Sequence, residues 1–188
     1  TINSAPAQPG QAVDDQDIVK LGGQILAQPA ETQTILFNKP AGYIVSRNGQ
    51  GSPTIYDLLP AEFHNLKPIG RLDKDSSGLL LLTNDGQLAN KLTHPKFLKQ
   101  KIYEIELNKP LAVSDQSKIE QGIILADGRS RLSLKGLGKT WTITMHEGRN
   151  RQIRRSFAAL GYQTIKLHRT QFGNYYLSNL KSADHIII

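Results

Sequence analysis

No apolar run in the chain is longer than Leu79-Leu80-Leu81-Leu82, which is followed by Thr83 and closed by Asn84-Asp85-Gly86. A short continuous run bounded by turn residues is the pattern of a strand covered on both faces, whereas a strand with one face in water alternates. Residues 101–107 alternate in that second way. Ile102, Glu104 and Glu106 fall on one face, and Tyr103, Ile105 and Leu107 on the other, towards the core. Further strands are predicted at 35–37, running into the turn Lys39-Pro40-Ala41-Gly42, and at 141–145, with a hairpin-type turn at Asp127-Gly128. Helical signals recur in four places. Ser52-Pro53 followed by Ile55, Leu58 and Leu59 predicts a short helix stopped by Pro60, and residues 87–93 a helix broken before Pro95. Ser114 is placed to cap a helix running to about 121, and Asn150 one over 151–160 that Gly161 ends. Strands and helices do not alternate as βαβ units, so the fold class is α+β.

The first residues read differently. Pro9-Gly10 marks a turn, residues 17–21 alternate weakly, Gly22-Gly23 punctuates them, and the polar stretch 24–33 resembles a linker. Charge separates the two parts. The formal net charge is +7, yet residues 1–33 hold Asp14, Asp15, Asp17 and Glu31 against Lys20 alone, so the rest carries +10. Basic residues recur at Lys91, Lys96, Lys99 and Lys101, then at Arg149, Arg151, Arg154, Arg155, Lys166 and Arg169. Such a field attracts polyanions, nucleic acid first among them. The absence of cysteine excludes disulfides, thiolate metal sites and cysteine nucleophiles, and fits a reducing cytosol. No apolar run approaches membrane-spanning length.

Residues 70–78, Gly-Arg-Leu-Asp-Lys-Asp-Ser-Ser-Gly, form the most informative loop. Asp73, Asp75, Ser77 and Gly78 imitate the opening of a calcium loop, but the twelfth position is Asn84 rather than a bidentate glutamate, and a strand follows instead of a helix. Asp73 and Asp75 are too close in sequence for a glycosidase acid–base pair. A loop that feeds into a buried strand is held rigidly, unlike a surface loop whose aspartates merely cap turns. In residues 151–160, Ile153, Phe157 and Leu160 share one helical face; Arg151 and Arg155 point away from it. Arg154 falls at the edge of that stripe, where a partly buried guanidinium needs an anion, and Asp73 is a candidate. His146-Glu147 lacks the second histidine of a zinc motif, since Asn150 stands there. No phosphate-binding glycine loop or Ser-His-Asp order is present, and no cofactor or metal is called for.

Taken together, Gly70-Arg71-Leu72-Asp73, the run from Ser77 to Gly86, Asn38-Lys39-Pro40-Ala41-Gly42, Tyr56-Asp57-Leu58-Leu59-Pro60, Lys101-x-Tyr103 and the stretch from His146 to Arg155 resemble the RsuA-type branch of bacterial rRNA pseudouridine synthases, in the family's order. The resemblance implies a mixed, mostly antiparallel sheet in two subdomains flanking an active-site cleft. It implies Asp73 as nucleophile, Tyr103 stacking on the base and helping to remove the C5 proton, and Arg154 paired with Asp73. Ile153 would line the uracil pocket, and Arg71 would hold the nucleotide out of its stack. Lys101, Arg149, Arg151 and Arg155 are expected to bind substrate. The implied partner is ribosomal RNA, closer to the members acting on the large subunit, with a small-subunit synthase and a catalytically silent RNA-binding protein as the alternatives. A cytoplasmic monomer is expected. Residues 1–27 resemble only the second half of the S4 RNA-binding domain with which members open, which suggests a trimmed chain, and residues 28–188 are expected to be the catalytic domain.

Overall fold

The computed structural model describes residues 1–14, 16–26, 31–94 and 99–188. Asp15, Pro95, Lys96 and the expected domain boundary at 27/28 lie outside the described residues. Contacts divide the chain into two units, Thr1–Thr32 and Gln33–Ile188. In the first, β1 (Lys20–Leu21) and β2 (Gln24–Ile25) pair antiparallel around Gly22-Gly23, both at positive φ, so the expected linker begins as a strand. Ile2 bridges to Ala5 and Val19, and the Asn3 side-chain amide donates to Asp17 at 2.6 Å.

The second unit is built on one sheet. In chain order its strands are β3 (Thr34–Lys39), β4 (Lys67–Ile69), β5 (Ser77–Thr83), β6 (Lys101–Leu107), β9 (Ser133–Leu137), β10 (Thr140–Met145), β11 (Thr164–Phe172), β12 (Tyr175–Tyr176) and β13 (His185–Ile187), while β7 (Ile123–Leu125) and β8 (Gly128–Ser130) form a separate hairpin. The helices are α1 (Gly86–Thr93), α2 (Val113–Gln121) and α3 (Gln152–Ala158). The sheet runs β13-β3-β5-β11-β6-β10-β9, with β4 also on β5 and β12 also on β11. Every pairing in it is antiparallel except β5 with β11.

The two hydrophobic patterns have different surroundings. Ile35, Phe37, Leu80 and Leu82 belong to one core cluster; Leu36, Leu79 and Leu81 belong to another. Side chains of a strand point alternately to opposite faces, so an uninterrupted apolar run requires a core on each side. In β6, Tyr103, Ile105 and Leu107 are buried while Glu104 and Glu106 face water, as the alternation predicts.

Helix ends depart from expectation where tertiary contacts take over. The turn after Pro53 is a 3-10 helix, Ile55–Asp57, shorter than the predicted helix; the Asp57 carboxylate accepts from the Thr54 backbone N–H at 2.7 Å. Helix α1 is capped by Asp85, which accepts from the N–H groups of Gln87 and Leu88. Helix α2 starts at Val113 behind Ala112, without a side-chain cap, and Asp115 accepts from Lys118 and the Tyr162 hydroxyl. Asn150 does not cap α3. That position belongs to Arg151, which adopts a left-handed backbone, φ 47° and ψ 30°, and the helix ends at Ala158 rather than at 160.

Candidate active site

The loop of residues 70–76 connects β4 to β5 and is held from beneath by Lys39, the last residue of β3. Lys39 is fully buried. Its ammonium donates to the carbonyls of Pro40 (3.0 Å), Asp73 (3.1 Å) and Ser76 (2.6 Å), tying three backbone acceptors to one point. The Ser76 N–H closes a turn on the Asp73 carbonyl at 3.1 Å, and the Gly42 N–H donates to the Lys74 carbonyl at 2.7 Å. The Asp73 side chain is therefore carried on a backbone with little freedom. A strand rather than a helix follows the loop, as the rejection of a calcium site required.

Burial lowers the Lys39 pKa to about 8 against the attraction of Asp73 and Asp75, and repulsion from Arg169 adds to the effect. The ordinary value is 10.5, so between about 8 and 10.5 the unfolded chain holds more protons at this residue than the folded one. Its contribution to stability then rises with pH: the cost of burying the charge is full below about 8 and relieved above 10.5. The unfolding free energy of the wild type, minus that of Lys39→Met, is expected to rise by roughly 3 kcal/mol across that window. Urea denaturation of both proteins at pH 7.5 to 10.5 measures it, and a flat difference would contradict a buried ammonium.

Asp73 opens onto a cleft of about 840 Å³. Arg71, Asp73, Lys101, Tyr103 and Ile153 all line it, joined by Arg149 and Arg151 from the approach to α3. Tyr103 and Ile153 are buried to 7% and 4% exposure, so they offer ring and side-chain faces rather than free surface. Leu167, Met145 and Phe172 extend this apolar wall. Lys101 donates to the Glu147 carbonyl at 3.2 Å and lies 5.5 Å from the Phe172 ring centroid. Burial and repulsion from Arg169 push its pKa below the ordinary lysine value, against the pull of Glu147.

The arginines are distributed otherwise than expected. Arg154 is partly buried, with its side chain 10% exposed, but its anion is Asp75, at 3.4 Å from Nε, and not Asp73. It also donates to the carbonyls of Thr164 (2.8 Å) and Asp75 (2.9 Å) and to the Ser76 hydroxyl, which fastens α3 to the start of β11 and to the loop. Burial depresses its pKa most, against the charge of Asp75. The guanidinium paired with Asp73 is that of Arg151, with Nη1 3.7 Å from Asp73 Oδ2. Helical periodicity placed Arg154 at the edge of the core stripe, where it is partly buried; it could not tell which of two aspartates in a loop Arg154 would meet, and Arg151 precedes the helix in a left-handed backbone that no periodicity describes.

Arg155 does not line the cleft. Its Nη1 and Nη2 grip both oxygens of Asp127, at 2.9 and 2.7 Å, and this fork raises the Arg155 pKa while lowering that of Asp127. Arg149 reaches the same carboxylate at 3.0 Å and donates to the carbonyls of Asp127 and Arg129. The β7–β8 hairpin is thereby fastened to the entry of α3. Beneath it lies a buried polar network in which the Gln152 amide donates to the Ser130 hydroxyl and to Glu147, and Ser156 donates to Ser130. In the sequence, Asp127 reads only as a turn residue. The signal it carried was charge, an acid followed by several arginines, which fits internal pairing as well as it fits RNA.

In the sequence, Arg169 reads only as part of the basic field. It is 2% exposed, its Nε donates to the Leu79 carbonyl at 2.8 Å, and its guanidinium stands 5.0 Å from the Phe172 ring centroid. It supports the cleft wall at the seam between β5 and β11.

The family model described as RNA pseudouridylate synthase matches residues 33–159. The chain is 38% identical over 184 residues to the ribosomal large subunit pseudouridine synthase B of Bacillus subtilis, covering 93% of this chain and 75% of that protein. It is 30% identical to the protein of the same name in Pseudomonas aeruginosa, over 95% of this chain and 50% of that one. The chain thus spans from about a third to three quarters of the length of the curated relatives it matches. A crystal structure of a pseudouridylate synthase superimposes with a TM-score of 0.79 at 30% identity, covering all of this chain and 84% of the other. With a model matched over most of its length and that structural agreement, the chain belongs to the RNA pseudouridylate synthase family.

Proposed function

We propose that this protein isomerises uridine to pseudouridine in ribosomal RNA of the large subunit, with Asp73 as nucleophile. The observation that carries the reading is the placement of the Asp73 carboxylate, beside the Arg151 guanidinium and on a rigid loop, in a cleft walled by Tyr103 and Ile153. Asp73 adds to the target nucleoside, at C1′ of the ribose or C6 of the base. The N1–C1′ glycosidic bond breaks, the uracil turns and rejoins C1′ through C5, the bond to Asp73 breaks again to return the carboxylate, and the C5 proton leaves. Tyr103 stacks on the base and assists that proton's departure, and Ile153 packs against the uracil. Arg154 holds the loop against α3 instead of pairing with the nucleophile. Unstacking the uridine costs roughly a few kcal/mol, which contacts from Arg71, Lys101 and neighbouring cations to the RNA offset in a salt-dependent way.

The names of the relatives at 38% and 30% identity favour the large-subunit substrate over the small-subunit one. The protein is further read as a cytoplasmic monomer. Residues 1–27 are read as the C-terminal half of an S4-like RNA-binding domain with its linker, in keeping with the separate compact unit at Thr1–Thr32; residues 28–188 are read as the catalytic domain. Tritium release from transcripts labelled at uridine C5 tests the reading. Release is expected from large-subunit rRNA and not from small-subunit rRNA. No release from either would overturn the enzymatic reading, and release from the small-subunit transcript alone would overturn the choice of substrate.

A further inference from the structure

We propose that Asp75 is a positioning residue for the reaction of Asp73 and that it acts through Arg151; the proposal rests on the synthase reading above. Asp75 accepts from both ends of the Arg151 guanidinium, Nη1 to Oδ1 at 3.0 Å and Nη2 to Oδ2 at 3.1 Å. The same Nη1 stands 3.7 Å from Asp73 Oδ2, and among the described residues this is the ion pair the nucleophile makes. One nitrogen is therefore shared between two carboxylates, and Asp75 holds the shorter contacts. Asp73 and Arg151 line the cleft, whereas Asp75 does not, so Asp75 can affect the reaction only through its neighbours.

The division of that guanidinium has a chemical consequence. Arginine and carboxylate prefer a closed fork with two parallel hydrogen bonds, and a carboxylate so engaged has fewer lone pairs free for attack. Asp75 completes the fork and leaves Asp73 with a charge nearby but no bidentate clamp. The backbone agrees with a held side chain. Arg151 is in the left-handed region, uncommon for a residue other than glycine, and such strain persists where the surroundings over-determine it. Arg154 steadies the arrangement from the other side, with Nε 3.4 Å from Asp75 Oδ2 and Nη2 donating to the Asp75 carbonyl at 2.9 Å. Two carboxylates face two guanidiniums, and removing Asp75 leaves Arg151 free to close on Asp73.

The test is single-turnover tritium release at saturating labelled large-subunit rRNA, with affinity measured separately by filter binding, on the full 188-residue chain. Asp75→Asn is expected to slow release by about tenfold or more, the scale of a small misplacement of a reacting group, with RNA affinity changed by no more than about twofold. In an Arg151→Ala background the same substitution is expected to change the rate by less than about twofold, since the guanidinium shared between Asp73 and Asp75 is gone. Asp75→Glu, which keeps the charge, is expected to recover part of the rate, and it carries the test if the asparagine variant does not fold. A wild-type rate in Asp75→Asn, or losses that multiply independently in the double variant, would overturn the proposal. A wild-type chain that releases no tritium overturns the synthase reading instead, and this inference with it.

Discussion

Asp73→Asn is expected to lower single-turnover tritium release by at least ~10³-fold, the scale on which enzymes lose rate with a covalent nucleophile, while leaving the fold and the affinity for RNA nearly unchanged. The amide has the shape of the carboxylate but no anionic lone pair to form the bond to the nucleoside. Stability should barely move. The one ion pair lost, to Arg151 at 3.7 Å, joins side chains 29% and 43% exposed, and contacts of that kind contribute about 0–1 kcal/mol. The Asp73 backbone carbonyl, which receives the Lys39 ammonium, is untouched by the substitution, so the loop keeps its anchor. Affinity should hold because binding to RNA is dominated by cation–phosphate contacts, and Asp73 supplies none. The decisive comparison sets the rate of release beside a binding isotherm and a urea midpoint for both proteins. Residual turnover within tenfold of wild type would remove Asp73 from the nucleophile's role; a large fall in the midpoint would mean that the carboxylate had been structural.

Some of this was legible from the chain and some was not, for reasons that divide cleanly. Periodic features survived translation into structure. The leucine run is buried on both faces, the alternation in β6 turns Tyr103 inward, and the stripe in α3 leaves Arg154 partly covered. Each follows from a local repeat, which fixes the direction of a side chain relative to its own element. What a side chain meets there is a tertiary matter. Asp73 and Asp75 stand two residues apart in an aperiodic loop, so nothing in the spacing decides which takes Arg154. Nor does the spacing show that Arg151 takes a left-handed backbone and pairs with Asp75, 76 positions earlier in the chain.

Lys39 and Asp127 show a second kind of illegibility. A lysine before proline at a turn reads as a solvated residue, since lysine is almost never fully buried without compensation. Here three carbonyls converge on it, and two of them come from a loop more than thirty positions along the chain. Arg149 and Arg155 invite assignment to RNA because they belong to a basic field, yet Asp127 takes up hydrogen bonds from both. A count of charges cannot separate cations facing the substrate from cations that close the protein's own hairpin. Of the basic residues expected to bind substrate, Arg71, Lys101, Arg149 and Arg151 line the cleft and Arg155 does not, and Arg149 and Arg151 do so while already engaged with the protein's own carboxylates.

Gly78→Ala is expected to cost about 2–6 kcal/mol of stability, enough to unfold much of a protein whose total stability is of the usual 5–15 kcal/mol. Gly78 is the point where β5 meets β11 in the sheet's single parallel pairing, opposite Arg169. Its φ of +106° is a conformation that residues with a Cβ rarely adopt, and strain of that kind costs on the order of 1–3 kcal/mol. An added Cβ would also stand 2.2 Å from the Arg169 carbonyl oxygen and 2.5 Å from its backbone nitrogen. Those are main-chain atoms of a strand that also pairs with β6, so they cannot swing aside as the end of a flexible side chain would. Relief requires the two strands to part, and with them the Ser77 hydroxyl from His168 Nδ1, now 2.8 Å apart, and the Arg169 guanidinium from the Leu79 carbonyl. Gly161→Ala provides the control. Gly161 also has positive φ, at +77°, but no atom lies within 4 Å of its hypothetical Cβ, so the substitution should cost only about 1 kcal/mol of backbone strain. Urea midpoints of the two variants, measured against wild type, separate conformation from collision. Equal losses would show that the close approach of β5 to β11 relaxes at little cost, whereas a much larger loss for Gly78→Ala would show that the parallel seam cannot part to admit a Cβ.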